Sequence, residues 1–265
     1  MNTLQTKTYT LAPNLRLFVW QQGVLPRKTI LSLPGGGWAP WTSPPTLGSL
    51  DTYVRAGYNV VIAQYPTLPD LFPVPEDGAY LACDWLEGQS WVSDLFVEGR
   101  SAGTQGALWI FQGPRRNDKL RAISVAQAAA HYYPSMVQST SGSLAEHLGG
   151  GKLSQVPLQT QIDASPSTWL DTAPLFYDTP MQILTRPLTA GSGVVQELPW
   201  AQWIQGTAGK LLHNHDPQNS FGLKAQLLAN GYSEGSAPAP RMVHLIFADT
   251  AEEIIEARLN WYEQW

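Results

Sequence analysis

Between residues 29 and 126, apolar runs of strand length alternate with amphipathic runs of helical length, and this alternation limits the fold more than any other feature of the chain. Residues 29–33 (TILSL) and 58–64 (YNVVIAQ) are short, apolar and rich in β-branched side chains, the pattern of a strand buried on both faces, and residues 95–98 and 120–126 read the same way. Residues 47–56, 75–86 and 101–112 have helical spacing. The first of these is closed by Gly57, and the second carries Glu76 and Asp77 in its first turn, where negative charge complements the helix dipole. Strand, helix, strand in repetition implies parallel pairing through crossover helices. The expected class is therefore α/β, with a mostly parallel central sheet and helices on both faces. Ahead of it, residues 8–21 alternate around Ala12-Pro13-Asn14 and predict a hairpin.

From about residue 131 to 196 the periodicity gives way to Ser, Thr, Gly, Pro and aromatic residues, with short helical stretches at 143–148 and 167–170. This segment is expected to be a lid or cap insertion after the sixth strand, within a single domain of residues 1–265. Regular patterning returns as a strand at 199–205, a helix at 220–230, a strand at 241–246 and a closing helix at 251–265.

A formal charge of -5, with no cluster of Lys and Arg, excludes nucleic acid as the expected partner, because phosphate binding requires concentrated positive charge. Cys83 is the one cysteine and lies in an amphipathic stretch, where a small buried hydrophobe is expected rather than a reactive thiol. No apolar run approaches the roughly 18 residues of a membrane span, and the first residues lack the basic start and apolar core of a signal peptide. A cytoplasmic protein is expected; a homodimer is left open.

Residues 96–108 read FVEGRSAGTQGAL, with Ser101 centred between Gly99 and Gly103 where the strand pattern ends and the helical pattern starts. A side chain at the tip of so sharp a turn needs small neighbours two positions away on either side, and Gly99 and Gly103 supply them. Ser101 would then project above the carboxyl edge of the sheet as a nucleophile, with the Ala102 amide and the positive end of the new helix facing whatever it attacks. Some sixty residues earlier, Pro34-Gly35-Gly36-Gly37-Trp38 follows a predicted strand. Backbone amides at Gly36 and Gly37, unobstructed by side chains, suit an oxyanion hole for acyl transfer.

With these segments quoted, the chain resembles the α/β-hydrolase superfamily, specifically the esterase/lipase branch of hormone-sensitive-lipase-like esterases, small bacterial acetyl and feruloyl esterases and kynurenine formamidases. That branch carries H-G-G-G-W, D-Y-R-x-x-P and G-x-S-x-G; here they stand as Pro34 to Trp38, Gln64-Tyr65-Pro66-Thr67-Leu68-Pro69 and Gly99 to Gly103. Pro34 and Pro66 replace the His and Arg of the pattern. The resemblance implies an α/β-hydrolase fold and a catalytic order of Ser, acid, His along the chain.

On that order the expected base is His244, near the end of the last strand, while His131 and His147 precede the acid and are not expected as bases. The acid is harder to place. Aligning residues 204–212 with the family's H-G-x-x-D puts Gly209 where the carboxylate belongs. Asp216, in His213-Asn214-His215-Asp216-Pro217, is the substitute expected, with Glu197 a poorer one and a triad without a close acid a third alternative. The same four residues hint at a metal cluster, but two His at i and i+2 in a loop are weak ligand spacing, and neither metal nor cofactor is expected.

The implied function is a serine carboxylesterase cleaving small esters, of short-chain or aromatic acids, through an acyl-enzyme. Ser101, His244 and Asp216 would be catalytic, the amides of Gly36, Gly37 and Ala102 would hold the oxyanion, and Trp38, Trp41 and Arg100 would line the substrate pocket. Two alternatives are kept: a catalytically weakened or silent binding protein of the same fold, and a formamidase-type amide hydrolase.

Overall fold

Strand β4 (Asn59–Gln64) has five successive buried residues, and β3 (Arg27–Leu33) likewise buries its last five. Such two-sided burial requires helices on both faces of the sheet. The computed structural model describes residues 4–113, 117–127, 142–152, 155–166, 168, 178–185, 217–236, 239–248 and 250–265. Besides β3 and β4, the strands are β1 (Leu4–Ala12), β2 (Leu15–Gln22), β5 (Val92–Arg100), β6 (Leu120–Ala126), β7 (Met181–Thr185), β8 (Ser233–Glu234) and β9 (Met242–Phe247). They form one sheet in the order β1-β2-β4-β3-β5-β6-β7-β9-β8. The β1–β2 and β2–β4 pairs are antiparallel and the remaining pairs parallel, as the alternation in sequence predicts.

The helices are α1 (Asp51–Arg55), α2 (Val74–Glu87), α3 (Gly103–Phe111), α4 (Gly142–His147), α5 (Leu158–Ala164), α6 (Pro217–Ala229) and α7 (Ala251–Tyr262). On one face α2, α3 and α6 close a core that includes Leu31, Val61, Val97, Ile123 and Ile183. Cys83, 2% exposed, belongs to it as a small hydrophobe. On the other face α1 and α7 cover Ile30, Val60, Ile62, Phe96 and Ala122 with Tyr53, Ile255, Trp261 and Tyr262. Helix α7 starts on a capping box in which Thr250 accepts from the Glu253 amide and Glu253 accepts from the Thr250 amide, satisfying two otherwise orphan donors.

Two expectations need correction. The segment 131–196 is not wholly an insertion, because it contains β7, which pairs with β6 and β9 in the middle of the sheet. The expected strand at 199–205 lies outside the described residues. The helix expected over 47–56 is a 3-10 turn at Gly48–Leu50 followed by the short α1. Parts of the intended insertion do pack over the sheet edge: Leu144, Leu148, Val156 and Ala164 enclose Trp38 and Ala102. The helical stretch expected at 167–170 lies outside the described residues.

Candidate active site

Ser101 joins β5 to α3 with a φ of 52°, in the left-handed region that non-glycine residues rarely occupy. Strain of this kind costs on the order of 1–3 kcal/mol and persists only where surrounding structure imposes it. Several bonds impose it here. The Ser101 amide donates to the Ala126 carbonyl at 3.0 Å, while the Ser101 carbonyl accepts from the Thr104 amide at 2.9 Å and from Thr104 Oγ1. The flanking glycines are required by close approach. A Cβ on Gly99 would stand 2.6 Å from the Gly103 carbonyl oxygen, and one on Gly103 would collide with the carbonyl of Leu33 at the end of β3.

The glycine-rich loop lies directly against this turn. A Cβ on Gly35 would come within 2.9 Å of Ser101 Cβ, so only a bare backbone can pass the serine at that distance. Gly36, Gly37 and Trp38 then run through positive φ values of 141°, 61° and 57°. Pro34 and Pro66, the two departures from the family pattern, both have packing partners. The Tyr65 hydroxyl donates to the Pro34 carbonyl, and the Pro66 ring packs against Gly78 of α2, where no Cβ would fit.

Ser101 is partly exposed and opens on a cavity of about 720 Å³, which it lines together with Gly35, Gly36, Trp41, Arg100, Gln127 and one flank of α7. The flank consists of Ala251, Ile254, Ile255 and Arg258. Of the residues expected to line a substrate pocket, Trp41 and Arg100 line this cavity. Trp38 is not on this wall: it is 5% exposed, stacks on His147 with ring centroids 4.4 Å apart, and borders a neighbouring cleft.

Beneath the serine lies a pair of charges that no sequence pattern announced. Glu98 and Arg258, each 3% exposed, are paired at 2.8 Å through Arg258 Nη1. Glu98 also accepts from Ser32 Oγ at 2.7 Å and from the Tyr53 hydroxyl at 2.8 Å. Burial and the adjacent Glu98 push Tyr53 well above the ordinary tyrosine range, so it stays protonated as a donor. Arg258 further donates to Ser124 Oγ at 3.1 Å and to the Gly99 carbonyl at 2.8 Å. The last bond ties α7 to the first glycine of the turn. Buried charges are tolerable when paired and hydrogen-bonded in this way.

The structure does not bring His244 to Ser101. Arg100, Ala126, Leu184 and Ile246 are in register across β5, β6, β7 and β9. Ser101 lies one position beyond that row and His244 two positions before it, three strands away. The offset is roughly 10 Å along the strands and roughly 14 Å across them, far outside hydrogen-bond reach. The His244 side chain faces α7, packs on Trp261 at 5.5 Å, and lines a separate groove of about 290 Å³ with Gln182, Glu253, Glu256 and Asn260. Helix α7 stands between this groove and the Ser101 cavity. Burial lowers the His244 pKa below 6.5, opposed by the charge of Glu234. The assignment of His244 as base is therefore corrected: it is a mid-strand residue under a helix.

Asp216, with His131, Glu197, Gly209, His213 and His215, lies outside the described residues. His147, not expected as a base, is fully buried, its Nε2 3.1 Å from Glu76 Oε1. Between β9 and α7 the chain has only Ala248, Asp249 and Thr250, and between Thr185 and Glu197 it has no carboxylate. Those are the stretches where the catalytic order places base and acid. Among the described residues no group of three or more His, Cys, Asp or Glu could hold a metal ion, and no helix is long and apolar enough to cross a membrane.

A parallel sheet of this order, a strained serine between strand and helix, and a glycine loop against it define an α/β-hydrolase fold. No protein-family model matches the sequence, and no curated protein sequence does. Solved structures do. The chain is similar to a lipase/esterase from Lactobacillus plantarum (12% identity, 98% of each chain covered, TM-score 0.61). It is also similar to carboxyl esterase 2 from Tuber melanosporum (13% identity, 99% of this chain and 87% of that one, TM-score 0.61). A third is an α/β-hydrolase enzyme from a deep-sea metagenome of the Medee basin (13% identity, 99% and 95%, TM-score 0.52). Identities this low establish the shared fold.

Proposed function

We propose that the chain is a carboxylic ester hydrolase in which Ser101 is the nucleophile, acting on small esters of short-chain or aromatic acids. The observation that carries this reading is the left-handed Ser101, held between Gly99 and Gly103 with Gly35 against its Cβ and open to a cavity it shares with Gly36. Backbone strain maintained by so many constraints serves to project one hydroxyl, and the fold is shared with proteins named as esterases.

In this reading Ser101 Oγ adds to the ester carbonyl carbon and its proton passes to a base. The amides of Gly36, Gly37 and Ala102 hold the oxyanion, each worth about 100- to 1000-fold in rate. Collapse of the tetrahedral adduct expels the alcohol, and water then hydrolyses the acyl-enzyme. The base is not His244. His147 is occupied by Glu76 and Trp38. The candidates that remain are His131, His213 and His215, with Asp216 as the orienting acid.

The missing histidine between β9 and α7 favours a second reading, in which the same cavity binds an ester-like ligand without turning it over. Labelling with a fluorophosphonate, together with p-nitrophenyl acetate turnover, separates the two. The hydrolase reading expects labelling of the native chain, none of Ser101→Ala, and turnover within about twofold of native for His244→Gln. Absence of labelling in the native chain would leave only the binding reading. Loss of rate in one of His131→Ala, His213→Ala or His215→Ala would identify the base, and comparing N-formylkynurenine with aryl esters would test the formamidase alternative.

A further inference from the structure

Two strained non-glycine residues stand side by side at this site. Ser101 follows Arg100 and Gln127 follows Ala126, and Arg100 and Ala126 are register partners on adjacent strands. Gln127 has a φ of 58°, almost the value of Ser101, and lines the same cavity. No glycine relieves it. Its backbone amide is spent on the Leu184 carbonyl at 3.1 Å, so the residue can address the cavity only through its side chain.

Gln127 is 6% exposed, and its Nε2 is closed off from solvent without a hydrogen-bond partner. Among the described residues that line the cavity, Gln127 is the one with such an orphan. The other buried polar groups there, Ser32, Glu98 and Arg258, satisfy one another and their neighbours. An unpaired buried donor is destabilising, and a left-handed glutamine adds to that cost. Leucine or glycine would avoid one or both penalties. A donor kept at such expense in the wall beside Ser101 is suited to an acceptor that arrives with a ligand.

We propose that Gln127 is a ligand-binding residue of the Ser101 cavity, its side-chain amide turning outward so that Nε2 donates to a second oxygen of the bound ester, beyond the one held by the glycine-loop amides. The site would thus select esters carrying an additional acceptor oxygen near the scissile bond over purely hydrocarbon ones. The proposal rests on the reading above only in taking this cavity as the ester site; it does not require turnover.

The test is equilibrium binding to Ser101→Ala, which consumes no ester. Two isosteric pairs of probes are used: phenyl methoxyacetate against phenyl butyrate, and 2-methoxyethyl benzoate against butyl benzoate. They differ only by oxygen in place of a methylene, on the acyl and the alcohol side respectively. At least one pair is expected to show about tenfold tighter binding of the oxygenated member, and that preference is expected to vanish when Gln127→Leu or Gln127→Glu is added. Which pair responds identifies the side of the ester that Gln127 reads. Absence of a preference in both pairs, or a preference that survives both substitutions, would overturn the proposal.

A thermal midpoint for Gln127→Leu equal to or above that of the parent is also expected, since the substitution removes an unpaired donor. A marked drop in that midpoint would show the glutamine to be structural and would equally overturn it. Fluorophosphonate labelling of the native chain, run in parallel, judges the hydrolase reading independently of this result.

Discussion

At the scale of single residues, His244 and His147 show how little a residue type says before its surroundings are known. His244 occupies the chain position expected of a catalytic base, yet strand register puts it opposite Gln182 and under α7. Its Nδ1 is buried without a partner, and burial depresses its pKa. A depressed histidine pKa means that the unfolded chain takes up a proton before the folded one does. Stability is then full above the unfolded value of 6.5 and falls as pH drops through it toward the lower folded value. Urea titrations between pH 7.5 and 5 should show this decline, and His244→Gln should flatten that part of it. A decline identical in the variant would mean that other groups dominate. His147, by contrast, keeps Glu76 as a partner and Trp38 as a stacking surface, an arrangement that braces the glycine loop.

Among the elements, the β5–α3 turn depends on its link to α7. Arg258 donates to the Gly99 carbonyl and to Glu98 from a helix about 160 residues further along the chain. Replacing Arg258 by Met keeps most of the volume but leaves Glu98 a buried charge with only neutral donors. A loss of about 3–5 kcal/mol in urea unfolding is expected. Glu98→Gln added to Arg258→Met removes the uncompensated charge and should recover a large part of the loss, as a double-mutant cycle would show. Equal losses for the single and double variants would mean that packing of the arginine stem matters more than the charge pair. The β5–α3 turn also shows why its glycines were legible: both Gly99 and Gly103 are demanded by backbone passing within van der Waals contact, and that requirement appears in sequence as an absent side chain.

For the whole molecule, the strands through β6 and the two-sided covering were readable because each element carries its own period. β4 shows a β-branched run, and α2 buries Ala79, Ala82, Cys83 and Leu86 at helical intervals. β7 was not readable. Met181 to Thr185 is five residues, all buried, and a strand enclosed on both faces has no alternation to distinguish it within a stretch rich in Ser, Thr and Pro. The same limit hid the Glu98–Arg258 pair and misplaced His244, because register between distant strands has no local signature. Gln127 was missed for a related reason: its left-handed backbone and its missing partner exist only once β6 and β7 are laid side by side.

Helix α7 walls the Ser101 cavity with Ala251, Ile254, Ile255 and Arg258, and it carries Trp261, with Trp265 stacked edge-on to it at 6.1 Å. Occupancy of the cavity should therefore be visible in intrinsic fluorescence. Titrating Ser101→Ala with phenyl butyrate ought to shift the emission of that indole pair and of Trp41, which lines the cavity directly, and Trp41→Phe combined with Trp261→Phe and Trp265→Phe ought to abolish the shift. The protein would then carry its own optical gauge, free of any attached dye, for screening ester libraries whether or not a single bond is cleaved.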